Sequence, residues 1–233
     1  SIDEYIMGFG RRIDIAIQDT EITVRDYGRG IPLGKLVDCV SQINTGAKYN
    51  SDVFQFSVGL NGVGTKAVNA LSGFFCARSV RDGKYKEAEF HSGVLVREED
   101  GDTEERNGTK IRFSPDPKLF PKIVIKQEFI EHRLWMYAYL NSGLSLYFNN
   151  QRYYSKNGLQ DLIENRVQGE SLYQIIHYKD KTLEFAFTHI ADFGETYFSF
   201  VNGQYTNDGG THESAFKEAL LRAVNEYSGK DYD

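Results

Sequence analysis

Ile13, Ile15 and Ile17 alternate with Asp14, Ala16 and Gln18, and beyond Asp19-Thr20 the alternation resumes through Ile22 and Val24 into Arg25-Asp26. A period of two on both sides of a short polar turn predicts a β-hairpin with one covered face. The residues ahead of it, Ser1 to Gly8, read as the last turns of a helix stopped by glycine. Residues 34–43 carry Leu36, Val37, Val40 and Ile43 at helical spacing, and 65–71 carry Ala67, Val68 and Leu71 before a stop at Gly73. Between these two helices, 44–58 is polar and then aromatic without a period, which predicts a mobile loop.

From Phe74 to Phe113 the pattern is strand-like, with turn signals at Asp82-Gly83, Ser92-Gly93 and Asp100-Gly101, so an antiparallel meander is expected. The acidic stretch 98–105 then becomes a solvated hairpin tip. A helix follows over 129–140, a strand over 144–148 and a short helix over 158–167. The main boundary is placed at 168/169. After it come strands over 173–178, 183–189 and 196–202 and a final helix from Thr211 to Tyr227 with Ala215, Ala219, Leu220, Ala223, Val224 and Tyr227 on one face. Strands, a glycine-rich connection and a helix suggest a βαβ unit lacking its second parallel strand.

Composition narrows the classes. The chain has 233 residues, 40% hydrophobic and 26% charged, with 16 Phe and 15 Tyr, enough for a substantial core. A net charge of −6 argues against gripping nucleic acid with the whole surface. Cys39 and Cys76 sit in apolar surroundings and read as two buried thiols in a reducing compartment. No 18-residue apolar run and no signal-peptide pattern occurs, so no membrane role and a cytoplasmic location are expected. The chain opens inside a helical pattern and closes just after one, and both ends read as cut.

Two glycine motifs carry the chemistry. Gly62-Val63-Gly64-Thr65-Lys66-Ala67 fits the dinucleotide pattern in isolation, but an irregular loop precedes it and Arg81-Asp82-Gly83 at the acid's position reads as a turn. A phosphate loop of the Walker type needs Lys directly after the second glycine, whereas Thr65 precedes Lys66 here. Three glycines ahead of a helix still have a use, because backbone N–H groups can close on an anion there. The plain alternative is a surface loop without a ligand. Asp26 ends a half-buried strand ahead of Gly28 and Gly30, where a carboxylate needs donors and an adenine amino group is one. Asx capping of the turn is the plain alternative. Thr109, in Asn107-Gly108-Thr109, can place a hydroxyl beside the same base or be an ordinary strand residue.

Taken together, Asp26-x-Gly28-x-Gly30, Gly59-x-x-Gly62-x-Gly64 and Gly108-Thr109 resemble the ATP-binding boxes shared by gyrase B, the Hsp90 chaperones, sensor histidine kinases and the MutL mismatch-repair proteins, the GHKL superfamily. D-Y-G-R-G-I-P at 26–32, N-T-G-A-K at 44–48, V-N-A-L-S at 68–72 and D-G-G-T-H-E at 208–213 are similar to the B-type (ATPase) subunits of bacterial type IIA DNA topoisomerases. The string 57–71, with Asn61 where gyrase B usually has His, looks closer to the B-type subunit of topoisomerase IV than to gyrase B.

The resemblance implies an α/β fold, an α+β two-layer sandwich of the Bergerat (GHKL) ATP-binding type over 1–168. It also implies the start of a ribosomal-protein-S5-like transducer domain over 169–233. It implies ATP and Mg²⁺ as cofactors and an ATP-dependent strand passage, decatenation or supercoil change by a topoisomerase. Asp26 would bind the adenine amino group with Thr109 assisting through a water. Arg29, Gly30, Ile31 and Pro32 would line the base, Asp3 and Glu4 would support the pocket, and Glu4 would pair with Arg29. Gly59, Leu60, Asn61, Gly62, Val63, Gly64 and Thr65 would wrap the phosphates with Lys48 nearby. Thr211 and His212 would set the start of the transducer helix.

The general base and the Mg²⁺-binding Asn of the family would precede Ser1, and its transducer Lys would follow Asp233. No catalytic or metal-binding residue is therefore expected within the chain, which should turn over little ATP alone. Implied partners are a second copy as homodimer, an A-type subunit in a heterotetramer, double-stranded DNA and adenine-site inhibitors, on the nucleoid in the cytoplasm. An ATP-gated clamp of the Hsp90 or MutL type, or a dimerisation module without turnover, are the alternatives. Gly209-Gly210-Thr211-His212-Glu213 speaks against the clamp.

Overall fold

The computed structural model describes residues 1–43 and 62–232. A short helix α1 (Ile2–Ile6) leads into the hairpin β1 (Arg12–Gln18) and β2 (Glu21–Asp26). A single 3-10 turn (Leu33–Lys35) runs into α2 (Leu36–Ser41), and α3 (Gly64–Ala70) precedes β3 (Ser72–Arg81), β4 (Lys84–His91), β5 (Val94–Asp102) and β6 (Gly108–Pro115). Next come α4 (Gln127–Leu140), β7 (Ser145–Phe148), β8 (Gln151–Tyr153) and α5 (Leu159–Arg166). The last elements are β9 (Ile176–Lys179), β10 (Glu184–Phe187), β11 (Phe200–Val201), β12 (Gln204–Tyr205) and α6 (Thr211–Ser228).

Eight strands form one mixed sheet in the order β5-β4-β3-β6-β2-β1-β7-β8. Among the described residues only β1 and β7 pair in parallel, Ile13 beside Leu146 and Ile15 beside Phe148, with α4 in the crossover between β6 and β7. The alternation of isoleucines in β1 and β2 is explained by register. Ile13, Ile15 and Ile17 face the same side as Asp26, Val24 and Ile22, and Val24 continues that row into Ile111, Ala77 and Ala88. That face is covered by two clusters. Leu134 and Ala138 of α4 pack on Ile13, Leu146, Phe148 and Tyr153 at one side. Leu36 and Val40 of α2 pack on Phe75, Ala77, Ala88 and Phe90 at the other, with Val68 of α3 against them. The opposite face is polar, with Arg78 bridging Glu87 and Glu105 and Arg97 bridging Glu87 and Glu89.

Four expectations need correction. Asp100-Gly101 is no turn. Both residues lie inside β5 opposite Lys86 and Tyr85, so ladder pairing outweighs a local turn signal and the acidic stretch is largely strand. The meander holds only for β3, β4 and β5, because β6 returns to pair with β3 on one side and β2 on the other. Beyond α5 the strands are shorter than expected and pair as two separate antiparallel ribbons, β9 with β10 and β11 with β12, rather than as part of a βαβ unit. Gly73 is likewise inside β3, since α3 ends at Ala70. The expected loop over 44–58 falls outside the described residues.

The chain divides into two compact units, Ser1–Ala191 and Asp192–Asp233. The second contains the β11–β12 ribbon, turning at Asn202-Gly203, and α6, which begins after Gly210 and ends at Gly229 in the left-handed conformation. Glu213 in its first turn accepts the Ser199 hydroxyl and pairs with Lys217, and His212 reaches Thr206.

Candidate nucleotide site

β2 delivers Asp26 to the covered face of a central strand, where only 4% of it is exposed. A carboxylate in an apolar row is tolerated only when hydrogen bonds replace its water. Here Oδ1 accepts the backbone N–H of Gly28 at 3.1 Å and of Thr109 at 3.0 Å, and Oδ2 accepts the Ser1 hydroxyl at 2.7 Å. An ionised carboxylate offers about four acceptor positions, so Oδ2 keeps capacity for a further donor. An apolar cavity of about 340 Å³ lies alongside, walled by Ile13, Ile15, Val24, Leu134 and Tyr137 with Ser1 and Asp3.

The turn that follows is braced from far along the sequence. Gly30, at φ +78°, lies so close to β3 that a Cβ would stand 2.5 Å from the Val80 carbonyl oxygen, and the Ser79 hydroxyl donates to the carbonyl of Ile31 at 2.7 Å. A Cβ on Gly108, at φ +139°, would collide with the carbonyl oxygen of Asp26. That backbone contact is what brings the Thr109 N–H to the carboxylate. Ile31 packs on the α2 cluster, and the Pro32 carbonyl accepts the N–H of Lys35.

Arg29 and Glu4 form a forked pair: the Arg29 backbone N–H and Nε donate to Oε2 at 3.0 and 3.1 Å, and Nη2 donates to Oε1 at 2.9 Å. Burial pushes the Glu4 carboxyl up, but the hydrogen bonds from Arg29 outweigh it and hold Glu4 below the usual carboxylate range. The guanidinium also stacks 4.2 Å over Phe9.

The second glycine motif is described from Gly62 onward; Lys48, Gly59, Leu60 and Asn61 lie outside the described residues. Gly62 is left-handed at φ +58°, and Val63, Gly64 and Thr65 are exposed. A Cβ on Gly64 would meet nothing within 4 Å, so the fold itself imposes no steric need for glycine at the head of α3. Val68 of α3 and Ile31 of the first turn pack against the same cluster, which ties both motifs to one core.

Sequence reasoning missed two features. Tyr27 sits on the opposite face, its hydroxyl donating to Asp14 at 2.7 Å and its ring between Arg12 and Arg25; strand alternation past Asp26 was the available signal. Asn69, 1% exposed, donates to the Val40 carbonyl and joins α3 to α2, for which no sequence signal existed. Among the described residues no three His, Cys, Asp or Glu side chains gather as a metal site. Burial raises both thiols, Cys39 and Cys76.

Over its full length the chain is 53% identical to the B-type subunit of DNA topoisomerase 4 from Borreliella burgdorferi. The chain is thus similar to the B-type subunits of the type II DNA topoisomerases. The sequence profile of the DNA gyrase B family matches residues 151–232. The ATPase domain of Thermus thermophilus gyrase B, solved in complex with an aminocoumarin, is 29% identical with a TM-score of 0.76, covering 98% of the chain and 64% of that domain. The ATPase region of Saccharomyces cerevisiae topoisomerase II is 19% identical with a TM-score of 0.78 over 97% of the chain and 64% of that region, which is likeness of fold. The mixed α/β fold of the topoisomerase ATPase domains is therefore present. The chain spans 39% of the Borreliella protein. Among its described residues no helix is long and apolar enough to cross a membrane.

Proposed function

We propose that this chain is the ATP-binding region of a type II DNA topoisomerase, with topoisomerase IV the nearer kin because the named topoisomerase 4 relative is 53% identical and the Thermus gyrase B domain 29%. The observation that carries the reading is Asp26, a buried carboxylate satisfied on one oxygen by two backbone N–H groups and left with acceptor capacity on the other. It would take the exocyclic amino group of adenine, with Thr109 beside it and Ile31 and Pro32 against the base. Arg29, locked by Glu4, would close one side, and Asp3 would support the pocket. The turn Gly62-Val63-Gly64-Thr65 would meet the phosphates. Lys48, Gly59, Leu60 and Asn61 join that set on sequence grounds.

The described residues of the first turn fit the nucleotide. No cluster of carboxylates or histidines stands among the described residues, so no step is assigned to Mg²⁺. Glu4 is held by two bonds from the Arg29 side chain and is a poor candidate for deprotonating water. In the whole protein, ATP binding would close a homodimeric gate and hydrolysis would reset it, in company with an A-type subunit on double-stranded DNA in the cytoplasm, at the nucleoid. Adenine-site inhibitors, and aminocoumarins by likeness to the Thermus domain, are proposed ligands. The functional division is proposed at 168/169, where the eight-stranded sheet gives way to two-stranded ribbons, whereas the compact units divide at 191/192.

Thermal unfolding tests the reading. ADP at a hundred times its dissociation constant stabilises by about 2.7 kcal/mol, a rise of roughly 5–10 °C in Tm for a chain of this size. A Tm that saturating ADP leaves unmoved contradicts nucleotide binding.

A further inference from the structure

The polar face of the eight-stranded sheet divides by charge. One row across it runs from Arg152 through Tyr147, Asp14 and Arg25 to Lys110. Past Arg78 the same row ends on Glu87 and Glu99. On the β3–β5 side the arginines are held by carboxylates, Arg78 by Glu87 and Glu105, and Arg97 by Glu87, Glu89 and Glu99. On the β2–β8 side Asp14 is the one carboxylate in that row. Both its oxygens are engaged, Oδ1 by Nε of Arg12 and Oδ2 by the Tyr27 hydroxyl, each at 2.7 Å. The cations there rest on rings instead. The Arg12 guanidinium lies 4.2 Å from the centre of the Tyr147 ring, and that of Arg152 lies 4.1 Å from the centre of Tyr154. Arg152 also donates to the Ser145 hydroxyl through Nε and Nη2. Both arginines are exposed, and their remaining terminal nitrogens meet no acceptor among the described residues. A ring orients a guanidinium without neutralising it, so each fork stays charged and set for a planar oxyanion.

We propose that the outer face of β2, β1, β7 and β8, with Lys110 of β6 at its border, is a contact surface for the phosphate backbone of double-stranded DNA. Arg12, Arg152 and Lys110 are its phosphate-binding groups. DNA as a partner rests on the reading above; what the sheet adds is the place. Lys110 and Arg152 stand four strand spacings apart, about 19 Å. A duplex offers a phosphate about every 3.4 Å of axis along each strand, so several fall within reach of that span. Contacts of this kind hold a duplex without reading its sequence. The net charge of −6 leaves the chain as a whole unattractive to DNA, which confines binding to this half of the face.

Anisotropy of a labelled duplex of about 20 base pairs, titrated with the full chain at about 50 and 200 mM salt, tests this. Three phosphate contacts make the wild-type affinity fall about fortyfold over that range. Arg12→Gln/Arg152→Gln, left with one contact, should bind more weakly at low salt and lose only about three- to fourfold. Arg152→Gln alone should lie between them, and it carries the comparison if the double variant fails to fold. Arg97→Gln, on the carboxylate side, should match wild type. No binding by wild type at low salt, a salt dependence unchanged in a folded Arg12/Arg152 variant, or an equal loss in Arg97→Gln would overturn the proposal. So would displacement of the duplex by polyglutamate at equal charge concentration, which would mark a surface for acidic protein segments. Failure of the nucleotide reading shows separately, as a Tm that ADP leaves unmoved.

Discussion

The two glycine turns, 26–32 and 62–65, are built in opposite ways. The first is braced by residues distant in sequence: Glu4 of α1 on Arg29, Ser79 of β3 on Ile31, and Thr109 of β6 on Asp26. Its glycines are required by the protein, since a Cβ on Gly30 would run into β3. The second is braced locally by Lys66, and Gly64 has open space around its Cβ position. A glycine that the fold needs is a structural part. A glycine that costs helix stability and that the fold does not need makes sense where something outside the chain approaches the backbone. On the proposed reading the first turn is preformed to meet a base, and the second is left bare for the phosphates.

Substitutions that treat the two turns alike should therefore act differently. Gly30→Ala forces a Cβ against β3 at positive φ and should destabilise by about 2–4 kcal/mol, read as a lower denaturant midpoint. Gly64→Ala should do the reverse for stability, raising it by up to about 1 kcal/mol, because alanine is the better helix residue. It should still weaken ADP binding about tenfold through loss of close approach, measurable by calorimetry. A Gly64→Ala protein with unimpaired ADP affinity would remove the contrast between the turns.

The smallest effect is expected at the ion pair. Glu4 and Arg29 are 23% and 42% exposed, so screening limits their coupling to about 0.5–1 kcal/mol in a double-mutant cycle. The Glu4 carboxyl is depressed on folding, so its contribution is complete above the ordinary carboxylate value of 4.5. It is lost as pH falls from there through the lower folded value. Comparing wild type with Glu4→Gln along an acid titration should show their stabilities converging in that window; a constant difference down to low pH would mean that Arg29 does not set the shift.

Much of this was legible along the chain because it was local or periodic. The β1–β2 hairpin showed itself because one face is covered, and α6 because its apolar spacing and flanking glycines are local signals. The insertion of β6 between β3 and β2 was hidden, because strand order is decided by partners far apart in sequence. Asp100-Gly101 misled for the same reason, a turn dipeptide being held straight by Tyr85 and Lys86 across the ladder. At the site, Asp26 was visible as a polar residue closing an apolar alternation. That Thr109 contributes its backbone N–H, and that Lys66 folds back onto Gly62, depend on distances that sequence spacing does not encode.

The claim beneath all of this is that Asp26 reads the amino group of adenine. Calorimetric titration of adenosine and inosine into wild type and Asp26→Asn addresses it, since inosine carries an acceptor oxygen in place of that amino group. Wild type should prefer adenosine by about ten- to hundredfold, the cost of leaving a buried polar group mispaired, and Asp26→Asn should lose most of that preference. Equal affinities in wild type, or an unchanged preference in Asp26→Asn, would contradict it.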